Sequence, residues 1–415
     1  MLFLQELKKT IFSISYILIV IVLIAALHSQ DVLNFKEPKL SKPQVGENYG
    51  TTTKETPEII MPAALKQLWT EFCVNNYETY PIGFIKNIKL NDSEQGKVIQ
   101  IISTITGMDK DVVLKTKEQF FNSSGNIVPD IKNNINYSDF KDLMQQIDDI
   151  LGGGSSYNKD SLIRFGIVPI SYEEALHQYN LALNEDKITG GYARLFSDYA
   201  VAMVLSILPV FLAIIIFIKD RRANMSEIIY TKNISAAKII ITRYFAIITA
   251  IMIPVIILSY ISNASIWGLY SNIRLDYLAP LKYDFGWIMP SVMIVTAVGM
   301  CLTTLTNTPI AIIVQGFWWL LDMIIGLKSV ESAYSLFRLI PRHNAGTQSY
   351  FQTQDYINHF NSLIANRLLF VGLSIFLIII TILIYEMKRR GKLNEKFRFK
   401  KAISNFRNRK NQYST

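Results

Sequence analysis

Residues 219–243 read KDRRANMSEIIYTKNISAAKIIITR, a short basic, amphipathic segment between two uncharged apolar runs, Tyr199–Ile218 and Tyr244–Ile261. Each run approaches the roughly 20 apolar residues that a helix needs to cross a bilayer. The loop carries Lys219, Arg221, Arg222, Lys232, Lys238 and Arg243 against Asp220 and Glu227, a net charge of +4. Basic loops are held on the cytoplasmic side, so this one is expected to face inward. A cytoplasmic loop with its own helical pattern can pass force from a soluble partner into the membrane. The chain therefore reads as the membrane half of a machine whose motor is a separate subunit.

Composition supports a membrane chain. Half of the 415 residues are hydrophobic and 18% are charged, and the apolar residues cluster into runs. That clustering separates spans from a large soluble core. The net charge of +9 resembles a nucleic-acid signal until it is located. Eleven basic residues stand against Glu386 and Glu395 after Tyr385, directly behind an apolar run. A juxtamembrane cluster near anionic lipid accounts for them, and nucleic acid is not an expected partner. Cys73 falls in a polar segment and Cys301 in an apolar run, so the two are expected to remain unpaired. An outer domain without disulfides fits a Gram-positive bacterial envelope.

The expected fold is mainly α: a polytopic membrane protein of six transmembrane helices with a mostly helical extracellular domain that carries a few short strands. Residues 1–27 hold an interfacial helix, MLFLQELKKT, and a first span, Ile11–Leu27, read as retained rather than cleaved. Residues 28–195 form the extracellular domain, with 17 basic and 22 acidic residues. Within it, Lys36–Pro57 reads as extended, helical patterns occupy Glu58–Asn75, Gly96–Thr106, Tyr137–Leu151 and Glu173–Asn184, and Gly152–Ser156 reads as a flexible break. Residues 196–390 hold the other five spans and the coupling loop 219–243. Residues 391–415 form a basic cytoplasmic tail. Six crossings put both termini in the cytoplasm and every strongly basic loop on that side.

Catalytic motifs are sparse. No G-x-x-x-x-G-K-[ST] phosphate loop, H-E-x-x-H or G-x-S-x-G occurs, and His28, His177, His343 and His359 all lie outside the apolar runs. No catalytic residue, no metal site and no cofactor held by this chain are expected. Four residues of the fifth run are candidates for a substrate path. Asp322 either faces a polar path, reaches the outer headgroups or pairs with Arg367; Gln315 either hydrogen-bonds across helices or touches substrate. Trp318 and Trp319 are packing or interfacial aromatics, or face substrate. Asp148-Asp149 reads as a solvated helix face.

The order of motifs in the loop carries a family resemblance. Asp220-Arg221-Arg222, then Glu227-Ile228-Ile229-Tyr230, then Asn233-Ile234-Ser235 with Arg243 opening the next run, resembles the ABC-2 family of ABC-transporter permeases; Asn233 stands where proline is common. The resemblance covers roughly residues 1–27 and 196–390. It implies a separate ATPase subunit, binding ATP and Mg, that docks beneath the membrane. Residues 223–235 would then be a coupling helix, with Met225, Ile228, Ile229 and Ile234 as its apolar stripe. Arg221, Arg222, Glu227 and Tyr230 would complete the contact. It further implies a homodimer or a heterodimer with a paralogous permease, set among membrane lipids of the plasma membrane, exporting an amphipathic lipid, peptide or antimicrobial. Two other classes remain: a sensing or immunity module with a ligand-binding outer domain, and an envelope enzyme.

Overall fold

The computed structural model describes residues 2–35, 39–81, 85–122, 127–132, 134–222, 233–270, 273–326, 333–341 and 351–392. It is mainly helical, with two small antiparallel sheets among the described residues. Two separate apolar cores divide the work, one in the outer segment and one among the apolar helices.

The amphipathic start forms α1, Leu2–Ile11, and a 62° bend leads into α2, Ile14–Ser29. Ser13 caps α2 by accepting the Tyr16 N–H, which satisfies one of the orphan donors of the first turn. The outer segment then opens with β1, Thr51–Thr53, and closes with β4, Ile167–Pro169. These strands pair antiparallel, Thr51 opposite Pro169 and Thr53 opposite Ile167, and the ladder continues through Lys54 N to Gly166 O at 2.8 Å. The incoming and outgoing chains are thus stitched into one neck. Between them lie α3, Pro57–Val74; the hairpin β2, Tyr77–Thr79, and β3, Lys86–Ile88; α4, Asp92–Thr106; α5, Lys110–Asn122; and α6, Tyr137–Ile150. Their core is built from Leu68, Trp69, Phe72, Ile102, Phe140 and Met144. Asn91 and Glu94 form a complete capping box at the start of α4.

Gly166 has no room for a side chain, because an added Cβ would lie 2.0 Å from the Lys54 carbonyl oxygen. Gly166→Ala is expected to part the neck, with a loss of about 1–3 kcal/mol from overpacking. Gly96→Ala in α4, which meets open space, should instead add about 0.5–1 kcal/mol. Thermal unfolding of both variants checks the pair; equal effects would refute the close approach.

Two sequence readings change in this region. Gly152–Ser156 is a fixed turn: Gly152, Gly153 and Gly154 all have positive φ, and Ser155 donates through both N and Oγ to Asp148 Oδ1 at 2.7 Å. Glycine supplies those angles without a Cβ penalty, so the run is conformational rather than loose. Asp148 is accordingly buried rather than part of a solvated face, whereas Asp149 is exposed as expected.

After β4, Ser171 caps α7, Tyr172–Asn184, and the Glu174 side chain reaches Lys54 at 2.7 Å. α8, Thr189–Ala200, passes into a π-turn at Val201–Leu205 and then α9, Leu208–Arg222. Beyond the loop come α10, Ala236–Leu269; α11, Ala279–Tyr283; a second π-turn, Asp284–Ile288; α12, Met289–Thr306; α13, Ala311–Gly326; α14, Thr353–Asn358; and α15, Phe360–Arg389. Small residues let helices approach: a Cβ on Gly299 of α12 would sit 2.9 Å from Ala213 Cβ of α9. Among the described residues, three helical stretches are long and apolar enough to cross a membrane, Ala236–Leu269, Ala279–Thr306 and Phe360–Arg389, and the bent α1–α2 pair makes up to four. Leu208–Lys219 and Ala311–Ile324 are shorter apolar helices. The protein is thus a helical chain with several segments suited to a membrane.

Candidate functional site

Gln315 and Trp319 of α13 meet the irregular stretch between the first π-turn and α9, just before Pro209. Proline has no N–H to donate, and the helix near it departs from the regular ladder. Ser206 N bonds to Val201 O and Val210 N to Ile207 O. The exposed carbonyls are taken from the side by α13: Gln315 Nε2 donates to Ser206 O at 2.7 Å, and Trp319 Nε1 to Ala202 O at 3.0 Å. Gln315 is fully buried. Trp318 turns the other way and meets the Phe370 ring of α15 edge-on, with centroids 5.8 Å apart. All four candidate path residues lie on α13, but they face different neighbours, and two of them, Gln315 and Trp319, close a break beside α9.

Asp322, the fourth, is 3% exposed and points at residues 338–340. Its Oδ1 accepts the Leu339 N–H at 2.7 Å, its Oδ2 accepts the Ile340 N–H at 3.0 Å, and Arg338 Nη1 lies 3.7 Å from Oδ2 while donating to the Asp322 carbonyl. Arg367, the partner considered from sequence, instead donates to Trp287 O at 3.0 Å, Ser291 Oγ at 2.8 Å and Arg338 O at 3.0 Å. Asn366 adds three amide contacts to Ser335 O, Leu336 O and Arg338 O. Asp198 of α8 also acts electrostatically on Arg338. The segment around Arg338 is thus clamped by α13, the second π-turn, α12 and α15. Such a network holds helices at fixed separations, since every buried charge has partners.

A second buried network ties the outer segment to the apolar helices. Arg194 of α8 makes a two-pronged contact with Asp186, at 2.5 and 2.8 Å. The same guanidinium donates to Tyr283 Oη, Phe351 O and Thr353 Oγ1, and lies 4.4 Å over the Tyr356 ring. Thr353 Oγ1 in turn donates to Asp186 Oδ2 at 2.6 Å. The elbow it holds is strained, because Ile188 sits at φ 62°, ψ −62°, a region β-branched residues rarely adopt. Arg194, Asp186 and Arg338 were not singled out from sequence. Their only sequence signal is charge close to an apolar run, which does not reveal a partner many residues away.

The coupling residues are placed only in part. Arg221 and Arg222 end α9, with side chains outside the described residues, and Met225, Glu227, Ile228, Ile229 and Tyr230 lie outside them altogether, as does the basic tail 393–415. Ile234 is described: it packs against the core of the apolar helices, and its carbonyl accepts Arg389 Nη1 of α15 at 2.7 Å. Ser235 caps α10 through the Lys238 N–H. About two α10 turns further on, Arg243 pairs with Glu6 of α1 at 3.6 Å and lies over the Phe217 ring.

In the outer segment, Glu71 accepts Tyr157 Oη at 2.6 Å and Gln67 Nε2 at 2.9 Å. Burial raises its carboxyl, and these hydrogen bonds only partly oppose that. The folded chain thus holds this proton to higher pH than the unfolded chain. Its contribution is full below the unfolded value and is lost as pH rises through the raised folded one. Glu71→Gln should remove that loss, so the variant gains stability relative to the wild type as pH rises toward neutrality. Unfolding midpoints across that range check it, and parallel profiles would refute it. Burial also pushes the Cys73 thiol up to about 11, and Cys73 and Cys301 are both buried and unpaired. Among the described residues, no group of three or more His, Cys, Asp or Glu could hold a metal ion. Comparison with protein-family models, with curated proteins and with solved structures finds no match to this chain.

Proposed function

We propose that this chain is the permease subunit of an ABC-2 type transporter that uses ATP hydrolysis by a separate ATPase to export an amphipathic compound across the plasma membrane. In this reading α1–α2, α8–α9, α10, α11–α12, α13 and α15 make six crossings, with both termini and residues 219–243 cytoplasmic and residues 28–195 outside. The observation that carries it is the anchoring of the loop's outgoing end. Ile234 is held by Arg389 of α15, Ser235 caps α10, and Arg243 is paired with Glu6 of α1. A push on residues 223–232 would therefore reach three helices at once, which is what a coupling element requires. Rigid-body rotation of packed helices against a second copy or a paralogue would then change access. The Arg194 and Arg338 networks would carry that motion to the outer side.

Solubilisation in mild detergent tests the reading: a nucleotide-hydrolysing subunit should remain bound, and the reconstituted complex should accumulate an amphipathic substrate in vesicles on addition of ATP and Mg. Recovery of the chain with no such subunit, fully active, would overturn it. A sensing module draws support from the self-contained core of residues 57–165. It would give ligand-stimulated ATPase activity without vesicle accumulation.

A further inference from the structure

Asp284 opens the second π-turn and is 0% exposed. Its Oδ2 accepts a hydrogen bond from Ser259 Oγ of α10 at 2.7 Å, and its Oδ1 has no partner. One turn along the same face of α10, Asn263 is also fully buried; its Nδ2 donates to Ser259 O at 2.8 Å and its Oδ1 has no partner. Residues four apart on a helix are neighbours, so Asn263 stands beside the Ser259 that holds Asp284, and both side chains are tied to that one residue. The cations on the packed elements are engaged elsewhere. Arg194 is held by Asp186, Arg367 by the carbonyls of Trp287 and Arg338, and Lys282 by Asp276. Tyr260 and Tyr283, the nearby phenols, bring no positive charge.

A buried carboxylate without a counter-charge is costly, and so is each buried acceptor without a donor. Ionisable groups between apolar helices are also rarely without a role, and π-turns recur at functional sites. An oxygen set with one negative charge is neutralised by a single positive charge, whereas a divalent ion would leave an excess. We propose that Asp284, Ser259 and Asn263 bind one small monovalent cation, Na⁺ or a proton, between α10 and the second π-turn. The ion joins Asp284 Oδ1 to Asn263 Oδ1 and locks the π-turn onto α10. Its loss frees that contact to move. This site does not depend on an ATPase partner.

The test uses the full chain in nanodiscs of uncharged lipid with choline as the starting cation. NaCl is titrated at fixed pH, and pH is then lowered at fixed choline. Binding to the folded state raises the unfolding midpoint by mass action. A rise of a few degrees with Na⁺ identifies Na⁺; a rise only on acidification identifies the proton. In Asp284→Asn the Na⁺ response should vanish and the acid response should fall to the share that Glu71 contributes; both should shrink in Asn263→Ala, which keeps the carboxylate and serves alone if the first variant does not fold. Comparison with these variants separates the site from Glu71, which also titrates. A wild-type midpoint indifferent to both cations, or a response undiminished in the variants, would overturn the proposal.

Discussion

With the proposed ATPase docked on residues 223–235, Ile228→Asp and Ile229→Asp are each expected to strip it from the purified chain. Both residues stand in the apolar stripe of residues 223–235, next to Met225 and Ile234. Burying one such side chain in a partner's groove contributes about 1.5–3 kcal/mol. Replacing it with a carboxylate removes that contribution and adds an unpaired charge at the contact. Since about 1.4 kcal/mol is a factor of ten, binding should fall by about a hundredfold or more. The spans are untouched, so the variants should insert and elute from size exclusion as the wild type does. Retention of the ATPase at full stoichiometry in both would refute the docking assignment and favour an amphipathic helix lying on the bilayer.

The second large effect concerns Asp322 and Arg338. Arg338→Leu leaves the buried Asp322 carboxylate with its two N–H donors but without its nearest positive charge, with only Arg367 still acting on it electrostatically. Breaking a buried pair from one side typically costs about 3–5 kcal/mol. Asp322→Ala should cost more, because it also orphans the N–H groups of Leu339 and Ile340, at about 1–3 kcal/mol each. Asp322→Asn is the informative variant. As a strut, Asp322 should lose stability and transport together on this change. As a substrate residue, it should lose transport with the unfolding midpoint intact. Unfolding in bicelles paired with vesicle uptake reads both, and a loss under about 1 kcal/mol in Asp322→Ala would remove the strut.

The same geometry bears on the role of the polar domain between α2 and α8. The β1–β4 neck brings both of its connections to one place, and the strained elbow at Ile188 leads directly into α8 and Arg194. Arg194 reaches α11 through Tyr283 and α14 through Thr353. Movement of that polar domain and movement of the apolar helices would therefore share one set of contacts. The strain at Ile188 persists because the two-pronged Asp186 contact over-determines the elbow.

Helices were legible in the sequence wherever periodicity and capping agreed. The patterns at Glu58–Asn75, Gly96–Thr106, Tyr137–Leu151 and Glu173–Asn184 all became helices within a few residues of those bounds. α5 escaped notice: its lysines interrupt the apolar pattern, and only Val113 and Phe120 are buried. The glycine run at 152–154 read as loose because composition shows that glycine is present, not which angle it adopts. Asp148 shows the same limit, since its burial follows from Ser155 folding back upon it.

By itself the sequence determined that the chain is helical, that apolar runs of membrane length dominate its second half, and that a polar insert with its own core separates the first run from the rest. Those properties depend on local spacing and on hydrophobicity, which a linear chain carries residue by residue. Only the tertiary structure decided what the buried polar residues do. Gln315 meets Ser206 and Arg194 meets Thr353 across more than a hundred residues, and Asp322 meets Leu339 rather than Arg367. A buried polar group takes whichever partner the packed helices bring within about 3 Å. That choice exists only once the apolar faces have closed.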